Sequence, residues 1–145
     1  MSGERQAGRQ ASRQAGEGRD APARRIVTFR DLVAWQRAME LVEAVYRLTA
    51  LLPSDERFGL TSQLRRAAVA IPSNIAEGYS RQSRQDYLRF LRMSRGSLSE
   101  LSTQIEIARR VELCDPGQQL LDLIEEVGRI LNALIRSLEQ TEAQP

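Results

Sequence analysis

The sequence predicts an all-α protein: an antiparallel four-helix bundle, up-down-up-down, behind a disordered N-terminal tail. Three observations carry this. Apolar residues recur at spacings of three and four over four separate stretches. Helix-start signals stand before each stretch, at Thr28, Ser54, Ser83 and Asp115. No stretch shows the alternation of a half-buried strand.

The tail comprises residues 1–25, rich in Gly, Ala, Gln, Ser and Arg. It has too few bulky apolar groups to offset chain entropy, so disorder is expected. The bundle is assigned to residues 26–142. Helix 1 is predicted from Thr28, where Thr28 and Asp31 form a T-x-x-D capping box and Val27 can pack on Leu32. Its seam reads Leu32, Trp35, Met39, Val42, Tyr46, Thr49, and Pro53 closes it. Ser54 is the predicted N-cap of helix 2, with Asp55 and Glu56 in the favourable first turn.

Helix 2 places Leu60, Leu64, Ala67, Ile71 and Ile75 on one face, and its alanines keep the remaining surface slim. Pro72 removes a backbone donor and is expected to bend the helix. Gly78 is expected to supply a left-handed helix end. Helix 3 starts at Ser83 with Asp86, and its seam is Tyr87, Leu91, Ser94, Leu98, Leu101, Ile105 and Ala108. Gly96 costs about 1 kcal/mol in a helix interior, which suggests a second backbone packed close to it. Asp115-Pro116 reads as an N-cap followed by proline at the first helical position, with Gln118 completing the box. Helix 4 has the seam Leu120, Ile124, Val127, Leu131, Leu134, Leu138. Short connections make sequential helices antiparallel neighbours.

Apolar groups beyond the seams (Val33, Leu41, Val45, Leu48, Leu88, Leu121, Ile130 and Ile135) are more than one small core needs. They fit a homo-oligomer, or simply broader core stripes. The single Cys114 excludes an internal disulfide and fits a reducing compartment. No apolar run reaches a membrane span, and a cytoplasmic location is expected.

Histidine is absent. With it go di-iron Glu-x-x-His pairs, Ser-His-Asp activation and a Cys/His zinc site. No enzyme, no metal and no cofactor is therefore expected. All 21 basic residues are arginine, a choice consistent with bidentate phosphate contacts or with GC-rich coding. Residues 57–110 hold ten arginines and four acids, whereas residues 111–145 hold two arginines and seven acids. The middle of the chain is thus basic and helix 4 acidic. Arg81 and Arg84 in the helix 2–3 turn, with Arg89, Arg92 and Arg95, form the candidate basic surface for RNA or DNA, and Arg65 and Arg66 are further candidates. Such a surface would follow the phosphate backbone with little sequence preference. At 5% aromatic content a base-stacking platform is disfavoured. Alternatively these arginines pair with helix 4 acids of neighbouring subunits in a purely structural or protein-binding scaffold. A second polar set, Gln63, Asn74, Glu77, Glu100 and Gln104, reads as structural. Arg65 or Arg66 is expected to pair with Glu77 or Glu100.

Three blocks resemble a known family. They are FRDLVAWQRAMELVEAVYRLT, FGLTSQLRRAAVAIPSNIAEG and SRQDYLRFLRMSRGSLSELSTQIEIARRVEL, which include the RRA, NIAEG and SLxELxxQ positions. Together they resemble the 23S rRNA intervening-sequence proteins, which are similar to the accessory protein of diversity-generating retroelements. The resemblance implies a homopentameric ring of antiparallel bundles, nucleic-acid binding, and a reverse transcriptase as partner.

Overall fold

The structure, a computed structural model, describes residues 25–143. Apart from Arg25, the tail expected to be disordered lies outside the described residues. Four α-helices follow in order: α1 Val33–Thr49, α2 Leu60–Tyr79, α3 Arg84–Arg110 and α4 Gln118–Ala143. Short 3-10 turns, Phe29–Asp31 and Ser54–Glu56, precede α1 and α2. No strand occurs among the described residues.

Local chemistry explains where the helices begin, and in three places it corrects the expectation. The Thr28–Asp31 capping box forms: Asp31 Oδ2 accepts the Thr28 amide at 3.0 Å, and Thr28 Oγ1 accepts the Arg30 amide at 3.2 Å. It caps the 3-10 turn, because Leu32 is extended (φ −73°, ψ 127°) and breaks the run before α1. Before α2, Ser54 opens a 3-10 turn instead of an α-helix. Glu56 Oε2 accepts the Leu60 amide at 3.2 Å and so satisfies an orphan donor at the true helix start. Ser83 Oγ accepts the Asp86 amide at 3.0 Å, as expected of an N-cap. Asp115 Oδ1 instead accepts the Gly117 amide at 3.1 Å. Gly117 has φ +78°, so the left-handed turn delays α4 to Gln118.

The end of α3 is a Schellman motif. The Leu113 amide donates to Ala108 O at 2.9 Å and the Glu112 amide to Arg109 O at 3.1 Å. Glu112 occupies the left-handed position with φ 62°.

Each helix packs against its two neighbours around a closed square, and among the described residues no Cα atoms approach within 8 Å across the diagonals α1–α3 or α2–α4. Cross-helix pairs fix the directions. Between α2 and α3, Ile71 meets Ser94 while Gln63 meets Gln104. Between α3 and α4, Arg92 meets Glu139 while Leu98 meets Gly128. As one number rises its partner's falls, so these neighbours run antiparallel.

The core takes Leu64, Ile71 and Ile75 from α2, Leu91, Leu101 and Ile105 from α3, and Val127, Leu131 and Ile135 from α4. On α1 the predicted seam has the wrong phase. Ala34, Ala38, Leu41, Val45 and Leu48 are buried, whereas Trp35, Met39 and Val42 are half-buried and Tyr46 is exposed. Leu41, Val45, Leu48, Leu88 and Ile135 are therefore core rather than surplus. The expected seam holds at its ends, where Leu32 and Thr49 are buried, while its middle lies at the edge of the core, with Trp35 and Val42 half-buried against it and Tyr46 exposed.

Two glycine expectations are also corrected. Gly78 lies inside α2 without a positive φ. A Cβ there would stand 2.7 Å from Phe90 Cβ and 3.2 Å from Tyr87 O, so α2 and α3 approach tightly at Gly78. Among the described residues a Cβ added at Gly96 would meet nothing within 4 Å, so no neighbouring helix among them crowds it. Pro72 is accommodated within one continuous α2. Three successive carbonyls just before it accept side-chain donors: Val69 O from Ser73 Oγ (2.7 Å), Ala70 O from Asn74 Nδ2 (2.8 Å) and Ile71 O from the buried Ser94 Oγ (2.8 Å). These bonds supply partners near the point where proline removes one helix donor.

Candidate nucleic-acid interface

The short turn after α2 brings Arg81 beside α3, and Arg84, Arg89, Arg92 and Arg95 project from the first turns of that helix. All five are exposed. The ring of Phe90, buried beside Gly78, receives two of them: Arg81 lies 5.1 Å and Arg89 4.8 Å from its centroid. The tight α2–α3 crossing thus sets the spacing of two cations.

Carboxylates balance part of this charge. Arg81 pairs with Glu77 at 2.7 Å, Arg92 with Glu139 of α4 at 2.7 Å, and Arg89 more loosely with Asp86 at 3.9 Å. Arg95 Nη1 donates to the neutral amide oxygen of Asn132 at 3.2 Å. Arg84 makes no ion pair among the described residues. Five guanidinium groups against three carboxylates leave the end of the bundle positive. Exposed pairs of this kind are worth about 0–1 kcal/mol each, so a phosphate can compete for the same arginines.

Arg65 and Arg66 do not join this cluster. The pairing of Gln63 with Gln104 sets Arg66 level with about Leu101, roughly 9 Å along α3 from Arg95. The expected pairing of Arg65 or Arg66 with Glu77 or Glu100 is not found among the described residues. Arg65 turns to α1 instead: its Nε donates to Thr49 Oγ1 at 2.8 Å, and its guanidinium lies 4.5 Å from the Tyr46 ring centroid. Arg66 is exposed, without an ion pair among the described residues. Glu77 is taken by Arg81 one turn later, an arrangement a helix favours without any cross-helix reach.

The polar set divides. Gln104 is buried, and its Nε2 donates to Glu100 Oε1 at 3.2 Å and reaches Gln63 Oε1 at 3.5 Å. Its Oε1 is buried without a hydrogen-bond partner among the described residues. Asn74 serves the α2 backbone, as described above. Phe90, Asn132 and Glu139 complete the arginine surface, and sequence reasoning missed all three. Only the cross-helix register reveals them, although helix 4's acidity gave a general signal. Burial and Asp115 push the Cys114 thiol up from its ordinary pKa, which disfavours the reactive thiolate. Among the described residues no three His, Cys, Asp or Glu side chains cluster to hold a metal. No helix there is long and apolar enough to cross a membrane.

Comparison with known proteins agrees with this architecture. The solved structure of a protein of unknown function from the S23 ribosomal protein family of Bacteroides thetaiotaomicron is similar in fold. It has a TM-score of 0.64 and 22% identity over 72% of this chain and 96% of that one. No curated protein matches the chain. The family model described as 23S rRNA-intervening sequence protein matches residues 30–133, from the turn before α1 to past the middle of α4. A match of that extent, on a fold of four helices, shows that the chain belongs to the 23S rRNA-intervening sequence protein family.

Proposed function

We propose that the protein is a non-enzymatic homo-oligomer, a pentamer by the family resemblance, that binds RNA or DNA through the phosphate backbone. Its binding surface is the α2–α3 end, with Arg81, Arg84, Arg89, Arg92 and Arg95 as the contacts. One observation supports this above others: five exposed arginines meet only three carboxylates there, and Arg84 has none among the described residues. Repetition of that end around an oligomer would add the potentials of the copies. Arg66, about 9 Å farther along the bundle, is an outlying contact apart from that cluster, whereas Arg65 serves the α1–α2 contact. The wider role we attach to this binding is accessory, beside a reverse transcriptase or an rRNA-associated element in the cytoplasm. The absence of histidine removes Ser-His-Asp, Cys-His and Glu-x-x-His chemistry and supports a non-catalytic reading.

The test is a salt titration of binding to a short duplex. Log affinity falls linearly with log salt, with a slope of about 0.9 per phosphate contact. Arg84→Glu with Arg95→Glu reduces that slope while the oligomer persists. Affinity indifferent to salt would remove the arginine mechanism.

One observation favours a second reading, a structural or protein-binding scaffold. Arg92 and Arg81 are already paired, and Arg92 reaches Glu139 of its own chain. That pairing lies within one chain and not with the neighbouring subunit's acids expected from the sequence, so under that reading Arg89→Glu with Arg92→Glu lowers the urea midpoint of the bundle and leaves polyanion binding unchanged.

A further inference from the structure

The furrow between α3 and α4 carries an arginine that the surface described above leaves out. Arg136 stands on α4 four residues after Asn132 and three before Glu139. That spacing puts the three on one stripe of the helix, with neighbouring Cβ atoms about 5–6 Å apart. Both stripe neighbours of Arg136 reach across to α3. Asn132 Oδ1 accepts Arg95 Nη1 at 3.2 Å, and Glu139 Oε1 lies 2.7 Å from Arg92 Nη2. Arg136 therefore stands level with Arg92 and Arg95, exposed and without an ion pair among the described residues. Three guanidinium groups from two helices thus share one furrow with a single carboxylate, Glu139. Because its oxygen is engaged by Arg95, Asn132 offers its amide nitrogen as a further donor. The side chains of Arg92 and Glu139 are 46% and 44% exposed, so water screens their attraction.

We infer that this furrow seats a backbone phosphate of the bound nucleic acid, with Arg136 as a further contact and the Glu139 carboxylate as a built-in competitor for Arg92. A carboxylate and a phosphodiester present a guanidinium with the same kind of paired acceptor oxygens, so the two exclude each other at Arg92. The phosphate has the advantage, since it meets Arg92, Arg95 and Arg136 together while Glu139 holds Arg92 alone. An exposed pair is a weak restraint, so Glu139 lowers affinity without abolishing binding. The inference rests on the nucleic-acid reading above. It adds where along that surface a phosphate sits and which acid restrains it.

The experiment is fluorescence anisotropy of a short labelled DNA duplex with the full chain, over a salt series. Helical circular dichroism checks the fold of each variant, and every substituted side chain is exposed. Glu139→Gln removes the acid's charge at nearly constant size and is expected to tighten binding about two- to fivefold. Glu125→Gln makes the same change in net charge about 21 Å back along α4 and is expected to leave affinity nearly unchanged. Arg136→Gln is expected to weaken binding and to lower the salt slope by about 0.9. Arg47→Gln, at the far end of α1, is its control for net charge. Added to Arg92→Gln, the Glu139→Gln change is expected to have no effect, because the acid acts through Arg92. A Glu139→Gln protein that binds no tighter than Glu125→Gln would overturn the competitor, as would tightening that persists without Arg92. An Arg136→Gln protein that binds like Arg47→Gln would overturn the furrow and leave the other arginines standing. Wild-type binding that ignores salt would remove the arginine surface itself.

Discussion

Gly78 and Gly96 make a paired prediction, since the same substitution in two helices is expected to act with opposite sign. At Gly78 a new Cβ would stand 2.7 Å from Phe90 Cβ and 3.2 Å from both Tyr87 O and Tyr87 Cδ1. Two of these neighbours are fixed to the backbone, so relief requires α2 and α3 to separate. Overpacking of this kind costs about 1–3 kcal/mol, and the rigid neighbours put it near the top of that range. Replacing glycine by alanine within a helix returns about 1 kcal/mol. Gly78→Ala is therefore expected to destabilise by about 2 kcal/mol. Gly96 is exposed in the middle of α3, and among the described residues no neighbouring atom lies within 4 Å of the added Cβ. Gly96→Ala is expected to stabilise by about 0.5–1 kcal/mol. Urea unfolding followed by circular dichroism, at one fixed protein concentration to hold any self-association constant, measures both. A Gly78→Ala protein as stable as wild type would refute the tight-crossing argument.

Other substitutions test the remaining claims. Glu112 holds a left-handed conformation that glycine adopts without strain, so Glu112→Gly is expected to raise the urea midpoint, by about 0.5–1 kcal/mol in stability. Leu41→Ala is expected to cost about 2–5 kcal/mol, whereas Tyr46→Ala, from the predicted but exposed seam position, costs markedly less; equal losses would contradict the observed phase of α1. Burial, with a smaller contribution from Tyr79, pushes the Tyr87 phenol from its ordinary value near 10 up to about 12. The unfolded chain then loses its proton first, so stability is expected to fall as pH rises from 10 to 12. Tyr87→Phe should flatten that part of a pH series of unfolding midpoints. Cys114 is expected to react with a disulfide reagent at neutral pH more slowly than free cysteine, followed by thiol absorbance.

The seams of α2, α3 and α4 were legible because each carries one dominant apolar stripe. Helix α1 carries two. Leu41, Val45 and Leu48 form one and Trp35, Met39, Val42 and Tyr46 the other, and spacing alone does not say which faces inward. Side-chain form does: Ala34 and Ala38 allow close approach, while Trp and Tyr carry polar tips suited to an edge. Gly78 is special for a reason that its position in the sequence hides. A glycine near the end of a run suggests a cap, whereas the distance to Phe90 appears only once two helices are laid side by side. The arginine surface was legible as residues but not as pairs. Arg92 and Glu139 are 47 positions apart, and their meeting depends on a register that no local pattern encodes.

The polar bonds between helices are unevenly distributed, and this bears on how the molecule comes apart. At the α2–α3 seam a buried hydroxyl grips the opposite main chain and a glycine admits an aromatic residue. Among the described residues the polar ties of α4 to the other helices are all exposed, at Arg37–Glu126, Arg92–Glu139 and Arg95–Asn132. Water and salt loosen such ties first. In hydrogen-exchange experiments the C-terminal helix would peel away while the central hairpin stays shut, releasing Arg92 from its acid at the same moment.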